Sequence, residues 1–220
     1  MDHKLKRRRE MIKKNLKVLI ASSLIILTPI LVGVFLYDKL PEEVPIHWNF
    51  EGEVDQYAGK ALAVFGMPLI LLAFQWFTVL IVSFDPKRKN QSDKLVALSF
   101  WIIPAISIML GAITYTTATG KNISVETIAL VFLGFLFAIL GNYMPKCKFN
   151  YTVGIKLPWT LNSEENWNRT HRMAGKVWMP CGIICIIAGF LNITWLFIAS
   201  AALMIAIPAV YSFILYKKGL

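Results

Sequence analysis

From residue 177 to residue 216 the chain carries no Asp, Glu, Lys or Arg. Four further stretches, 18–37, 61–84, 95–118 and 127–145, are equally free of charge. An α-helix rises about 1.5 Å per residue, so about 20 residues cross a hydrocarbon core of roughly 30 Å. Each of the four shorter stretches fits one crossing. The longest fits two, joined by a turn at Leu191-Asn192-Ile193-Thr194. Buried helices of globular proteins usually keep a polar face, which five successive charge-free runs do not. The expected fold is an all-α integral membrane protein, a bundle of six transmembrane helices. Hydrophobic residues at 56% and charged residues at 16%, against about 45–50% and 25% in soluble domains, exclude a disordered chain and argue against a soluble enzyme. The first run is too long for a cleaved signal peptide and reads as a retained anchor.

The net charge of +10 is then a topology signal. Lys and Arg number eight in the tail to Lys17, four in 85–94, six in 146–176 and two at the C-terminus. The alternate segments 38–60 and 119–126 hold two and one, and the turn after the fifth helix none. The basic side is expected to be cytoplasmic, which puts both termini there and the protein in a cell membrane. Anionic lipid headgroups would attract the basic tail; direct nucleic-acid binding is not expected. The expected organisation is a basic tail (1–17), an N-terminal module (18–84) holding helix 1, outer loop 38–60 and helix 2, and a second module (85–220). The second holds helices at 95–118, 127–145, 177–191 and 195–216 with inner loop 146–176.

No acid or base lies inside a proposed span, which argues against an ion-coupled transporter. Gln75 is the most polar deep residue and suits an interhelical hydrogen bond. Pro29, Pro68, Pro104, Pro180 and Pro208 each remove a backbone donor and kink a helix, and neighbours can satisfy the freed carbonyls. Cys181 and Cys185 share a helix face near Gly182 and Gly189, as small residues at a close helix contact do. They lack the further ligands of a zinc site.

Two loops are rich in information. In the outer one Val44, Ile46, Trp48 and Phe50 alternate with polar residues or Pro, and Gly52 punctuates the run, so a short hairpin is expected. Trp48, Phe50 and Tyr57 suit a membrane interface. Asn49 and Asp55 are expected to hold the turn. His47, Glu51 and Asp55 are spaced by four, but Pro45 and Gly52 disfavour the helix that would align them as metal ligands, and no metal or cofactor is expected. In the inner loop Phe149–Ile155 reads as strand-like or irregular and is broken by Pro158. A helix then starts with Asn162 as cap and Glu165 closing a capping box, or with Ser163 as cap. It places Trp167, His171, Ala174 and Trp178 on one face, with Glu165 and Arg169 as an i,i+4 pair, and runs as an interfacial helix into helix 5. No nucleophile motif frames His171. It is expected to be structural, bonding to a backbone carbonyl or to Thr or Asn, and no enzyme activity is expected.

The outer residues Leu40-Pro41, Pro45-Ile46-His47-Trp48-Asn49, Gly52 and Asp55 resemble the N-terminal module of the bacterial Sdp immunity protein family (SdpI-like). The inner match runs from Gly141-Asn142-Tyr143-Met144-Pro145-Lys146 through Asn150, Gly154-Ile155 and Pro158-Trp159-Thr160 to Glu165, Trp167, Thr170-His171-Arg172 and Gly175-Lys176. Phe149 stands where the family pattern has Pro, Lys156-Leu157 where it has Arg-Thr, and the basic tail is longer. The resemblance implies a six-helix membrane protein that gives immunity to a secreted, membrane-active toxin peptide, cationic or hydrophobic. It also implies signalling by holding a cytosolic transcriptional repressor at the membrane. The outer loop and bundle would sense toxin, and the inner loop or tail would contact the regulator. Competing readings are a small-solute transporter or efflux component using the kinked helices, and a membrane-embedded hydrolase centred on His171.

Overall fold

The computed structural model describes residues 2–49, 52–87, 90–91 and 93–220, with the side chains of all of these except 2–8 and 93. Helix α1 spans Asp2–Leu36. A single 3-10 turn leads into strands β1 (Glu43–Trp48) and β2 (Val54–Gly59), which pair antiparallel. Then follow α2 (Met67–Phe84), α3 (Asp93–Ala118), α4 (Val125–Tyr143), the short α5 (Pro158–Asn162), α6 (Glu164–Phe190) and α7 (Thr194–Lys217). Six helices, all but α5, are long and apolar enough to cross a membrane. The six spanning helices expected from the charge gaps are therefore present among the described residues.

The chain divides into two compact units, Met1–Phe84 with Val96–Val125, and Asp85–Leu95 with Glu126–Leu220. In the first, the basic segment is not a separate tail: α1 is helical from Asp2. Met11, Asn15, Leu19, Ser22 and Ile26 are buried at steps of three and four, a stripe that continues into the basic part and leaves Lys13, Lys14 and Lys17 exposed. Met11 and Leu19 pack with Val79, Val82, Val96 and Phe100. Lys, Arg, Glu and Leu are good helix formers, so nothing in the composition stops the helix at the charge boundary.

The prolines show how the helices tolerate lost hydrogen bonds. A proline at position i cannot donate to the carbonyl at i−4. The carbonyl of Ile25, orphaned by Pro29, accepts from Thr28 Oγ1 at 2.7 Å. That of Phe100, orphaned by Pro104, accepts from Gln75 Nε2 at 3.0 Å. That of Met204, orphaned by Pro208, accepts from Trp178 Nε1 at 2.8 Å. Pro68 follows a π turn at Leu62–Gly66, a wider backbone ring that relieves the proline clash. Gln75 also donates to Ser22 Oγ at 3.1 Å, so it joins α1, α2 and α3 as the expected interhelical bond.

In the second unit α4 and α6 approach through small residues. A Cβ added at Gly134 would lie 2.7 Å from the Ile186 nitrogen, at Gly182 2.4 Å from the Ala138 nitrogen, and at Gly189 2.9 Å from Val131. Cys181 and Cys185 pack with Met204 of α7, the helix contact expected of them. Helix α6 closes with Asn192 in the left-handed region at φ 54. Ile193 N–H reaches Ala188 O and Asn192 N–H reaches Gly189 O, a Schellman ending that makes the expected turn into α7.

Candidate functional site: two ordered motif segments

The outer segment is a hairpin, as the alternation and Gly52 predict. Its register pairs Glu43 with Gly59, Val44 with Ala58 and Pro45 with Tyr57; it then shifts on both sides of His47, which pairs with Gln56, before Trp48 meets Val54. Pro45 lacks an N–H and fits such an irregular strand. At the turn Asn49 N–H donates to Glu53 O at 2.9 Å, and Asn49 Oδ1 accepts from Glu53 N–H at 2.8 Å. Gly52, at φ 78, donates to Asn49 O. Asn49 thus holds the turn as expected, but Asp55 does not. Its carboxylate instead lies 2.6 Å from His47 Nδ1. Phe50 and Glu51, the latter the third member of the metal spacing, lie outside the described residues. Among the described residues no three His, Cys, Asp or Glu side chains gather as a metal site. At the open end Lys60 Nζ meets Glu42 at 2.7 Å, a hydrogen bond that raises the ammonium pKa above its ordinary value. The root of the hairpin is anchored where Val44 and Leu40 are buried with Ala63, Val64 and Tyr115. The tip carries exposed His47, Asp55 and Tyr57.

The inner segment is a clasp closed on α6. Asn150 is fully buried and is its hub. Its Oδ1 accepts from Thr152 N–H at 2.9 Å, Val153 N–H at 2.7 Å and Gln91 Nε2 at 3.1 Å. Its Nδ2 donates to Lys148 O at 2.8 Å and Val153 O at 2.9 Å. Segment 147–157 is irregular rather than a strand, and this side chain replaces a ladder. Gly154 sits at φ 129, where a Cβ would lie 2.4 Å from His171 Nε2 and 2.8 Å from the Trp167 ring. That glycine lets Ile155 N–H reach His171 Nε2 at 2.9 Å.

His171 Nδ1 faces Trp167 O at 2.8 Å. Because Nε2 accepts, it is unprotonated, so Nδ1 carries the hydrogen and the ring is neutral. Both nitrogens are committed to backbone, the structural role expected. The ring stacks on Trp167 at 4.1 Å, and Trp167 Nε1 donates to Cys147 O at 2.8 Å. Cys147 and Phe149 are buried against Trp167, and burial pushes the Cys147 thiol up to about 11.

Pro158 begins α5 instead of only ending the loop, as suits proline in a first turn. Thr160 Oγ1 accepts from Leu157 N–H at 2.8 Å, and Trp159 packs on Phe213 and Tyr216 of α7. Of the two caps expected for α6 the structure uses Ser163, whose hydroxyl accepts from Asn166 N–H at 3.2 Å. Glu165 pairs with Arg169 at 2.5 Å. Arg172 is exposed. Thr170 Oγ1 donates to Asn166 Oδ1, and Asn166 Nδ2 reaches Ser212 O of α7 at 3.0 Å. Pro145 lies in a 3-10 turn at Met144–Lys146 and meets Gly175, where a Cβ would sit 2.5 Å from its ring. Asn142 is exposed.

Sequence reasoning missed three members of this segment. Asp85, buried, accepts from Tyr151 N–H at 3.0 Å, Thr152 Oγ1 at 2.8 Å and Gln91 Nε2 at 2.9 Å. Lys87 Nζ lies 3.7 Å from the centre of the Phe149 ring. These residues come from the connection after α2, about sixty positions away. The signal on offer was Asp85-Pro86 directly after a charge-free run, a buried-acid position at a helix end.

Six spanning helices and two folded loops define a multi-pass membrane protein in contact with the bilayer. Residues 146–212 match the SdpI/YfhL protein family, and residues 24–72 match a domain of unknown function, DUF1648. The chain is 28% identical over 209 residues to Immunity protein SdpI of Bacillus subtilis (strain 168), covering 94% of this chain and 97% of that protein. No solved structure matches it. It is a multi-pass bacterial membrane protein that resembles SdpI along most of its length.

Proposed function

We propose that this protein is an immunity protein, a non-enzymatic membrane protein that protects its cell from a secreted, membrane-active toxin peptide. The observation that carries this reading is the similarity to Immunity protein SdpI along nearly the whole of both chains. It includes both motif segments, so what the relative does has a counterpart here at each end. On this reading the basic termini and the clasp lie in the cytoplasm and the hairpin lies outside. The hairpin meets the toxin with its tip, where His47 and Asp55 are exposed and Trp48 and Asn49 half-buried; its acidic surroundings attract a cationic peptide by charge. Toxin binding shifts the bundle between two states. The exposed part of the clasp and the start of α6, including Asn142 and Arg172, contact a cytosolic transcriptional repressor and hold it at the membrane. A hydrolase reading needs His171 as a base, and both of its nitrogens are spent on backbone. A transport reading finds little support in the first unit, where a groove of about 420 Å³ beside Pro29 and Tyr115 is lined mainly by apolar side chains and by no acid.

Expression in a toxin-sensitive bacterium tests the proposal. Survival at toxin concentrations that kill the parent strain is expected. Unchanged killing at verified membrane levels would refute it.

A further inference from the structure

The exposed face of α6 changes character within one turn. At steps of three and four it presents Arg169, Arg172 and Lys176, and then Met179, Ile183 and Ile187. With a rise of about 1.5 Å per residue, the apolar track from Lys176 to Ile187 is about 16 Å long, close to half of a roughly 30 Å hydrocarbon core. The cations therefore sit where one leaflet's headgroups lie, and the apolar track follows that leaflet's chains.

Beside the cations is an open groove of about 440 Å³ lined by Glu165, Arg169, Arg172, Met173 and Lys176 of α6 and by Tyr211 of α7. Its charges are not balanced. Glu165 is engaged by Arg169 at 2.5 Å. Arg172 spends only Nε, on Asn168 O at 3.3 Å. Among the described residues its terminal nitrogens and the Lys176 ammonium meet no carboxylate. The groove thus offers a fork of guanidinium donors, a point charge and a phenol, all above an apolar track. A guanidinium fork matches phosphate oxygens in geometry as well as charge.

We propose that this groove binds the phosphodiester of one anionic phospholipid, with the acyl chains along Met179, Ile183 and Ile187. Arg172 and Lys176 hold the phosphate, and Tyr211 donates to it from α7. The bound lipid bridges α6 and α7 at the level where the clasp is fastened. The site shares Arg172 with the face proposed above for the repressor, but lipid retention is read without toxin or repressor and so tests it separately.

The test is native mass spectrometry of the full chain, released from neutral detergent after equilibration with equal amounts of phosphatidylglycerol and phosphatidylcholine. One phosphatidylglycerol retained in preference is expected. The double variant Arg172→Gln/Lys176→Gln should lower that preference roughly thirtyfold, about 2 kcal/mol. Arg172→Lys/Lys176→Arg should retain most of it, which separates lost charge from lost folding. Lys13→Gln/Lys17→Gln, with the same change in net charge on α1, should leave it intact. Equal retention of the two lipids, or a preference unmoved in the Gln variant, would overturn the proposal and leave this face to a protein partner. Inorganic phosphate competing at the concentrations at which the lipid binds would overturn it too, because the ligand would then be a free anion.

Discussion

The two histidines of the motif segments lie at opposite extremes of exposure. The side chain of His47 is 59% exposed and meets the carboxylate of Asp55, itself 40% exposed. His171 is 1% exposed and gives both ring nitrogens to backbone atoms. An exposed pair contributes about 0–1 kcal/mol, so the hairpin tip loses little if that pair breaks to meet a partner. The clasp has the reverse economy. The polar groups around Asn150 and His171 are buried and bonded to one another, so each removal leaves others stranded. Motif residues therefore hold two kinds of information: at the tip a surface, and in the clasp a shape.

That contrast can be broken by substitution. Asn150→Ala removes seven hydrogen bonds at once and should have the largest effect, a loss of about 3 kcal/mol or more. It is read as a fall in thermal midpoint in detergent, with early proteolysis within 147–157; an unchanged midpoint would deny the hub. Gly154→Ala comes next, at about 2–3 kcal/mol, because the added methyl meets the His171 and Trp167 rings in a strained conformation. Loss of the Trp167–His171 stack should show in near-ultraviolet dichroism. His47→Ala should cost under about 1 kcal/mol yet sharply reduce protection from toxin. Full protection by this variant would remove the tip from recognition. The smallest change is in reactivity. With its thiol pushed up to about 11 and buried, Cys147 should react with maleimide at pH 8 far more slowly in the native protein than after unfolding. Asn150→Ala should release it. Rapid native labelling would show that the clasp opens.

The features legible in the sequence were those written in local pattern. Absence of charge marked the six spans, and alternation with Gly52 marked the hairpin. Proline positions foretold which carbonyls would need partners, though only coordinates supply Thr28, Gln75 and Trp178 as those partners. The start of α1 was misjudged because a charge boundary is not a helix boundary: the buried stripe from Met11 to Ile26 crosses it. The capping choice between Asn162 and Ser163 turned on one residue of register, which spacing alone leaves open. Asp85 and Gln91 escaped notice because their partners Asn150 and Thr152 are distant in sequence, and a buried acid looks like any loop acid until the fold encloses it. His171 was legible as structural because no nucleophile motif surrounds it. That its neutral tautomer depends on Gly154 was not.

The account turns on the hairpin and the clasp facing different compartments. With the native cysteines replaced, Gln56→Cys on the hairpin and Lys148→Cys on the exposed part of the clasp can be probed on intact cells with a membrane-impermeant maleimide. Labelling at 56 before lysis, and at 148 only after it, is the expected result. Labelling of both positions on intact cells would contradict the arrangement on which sensing outside and signalling inside depend.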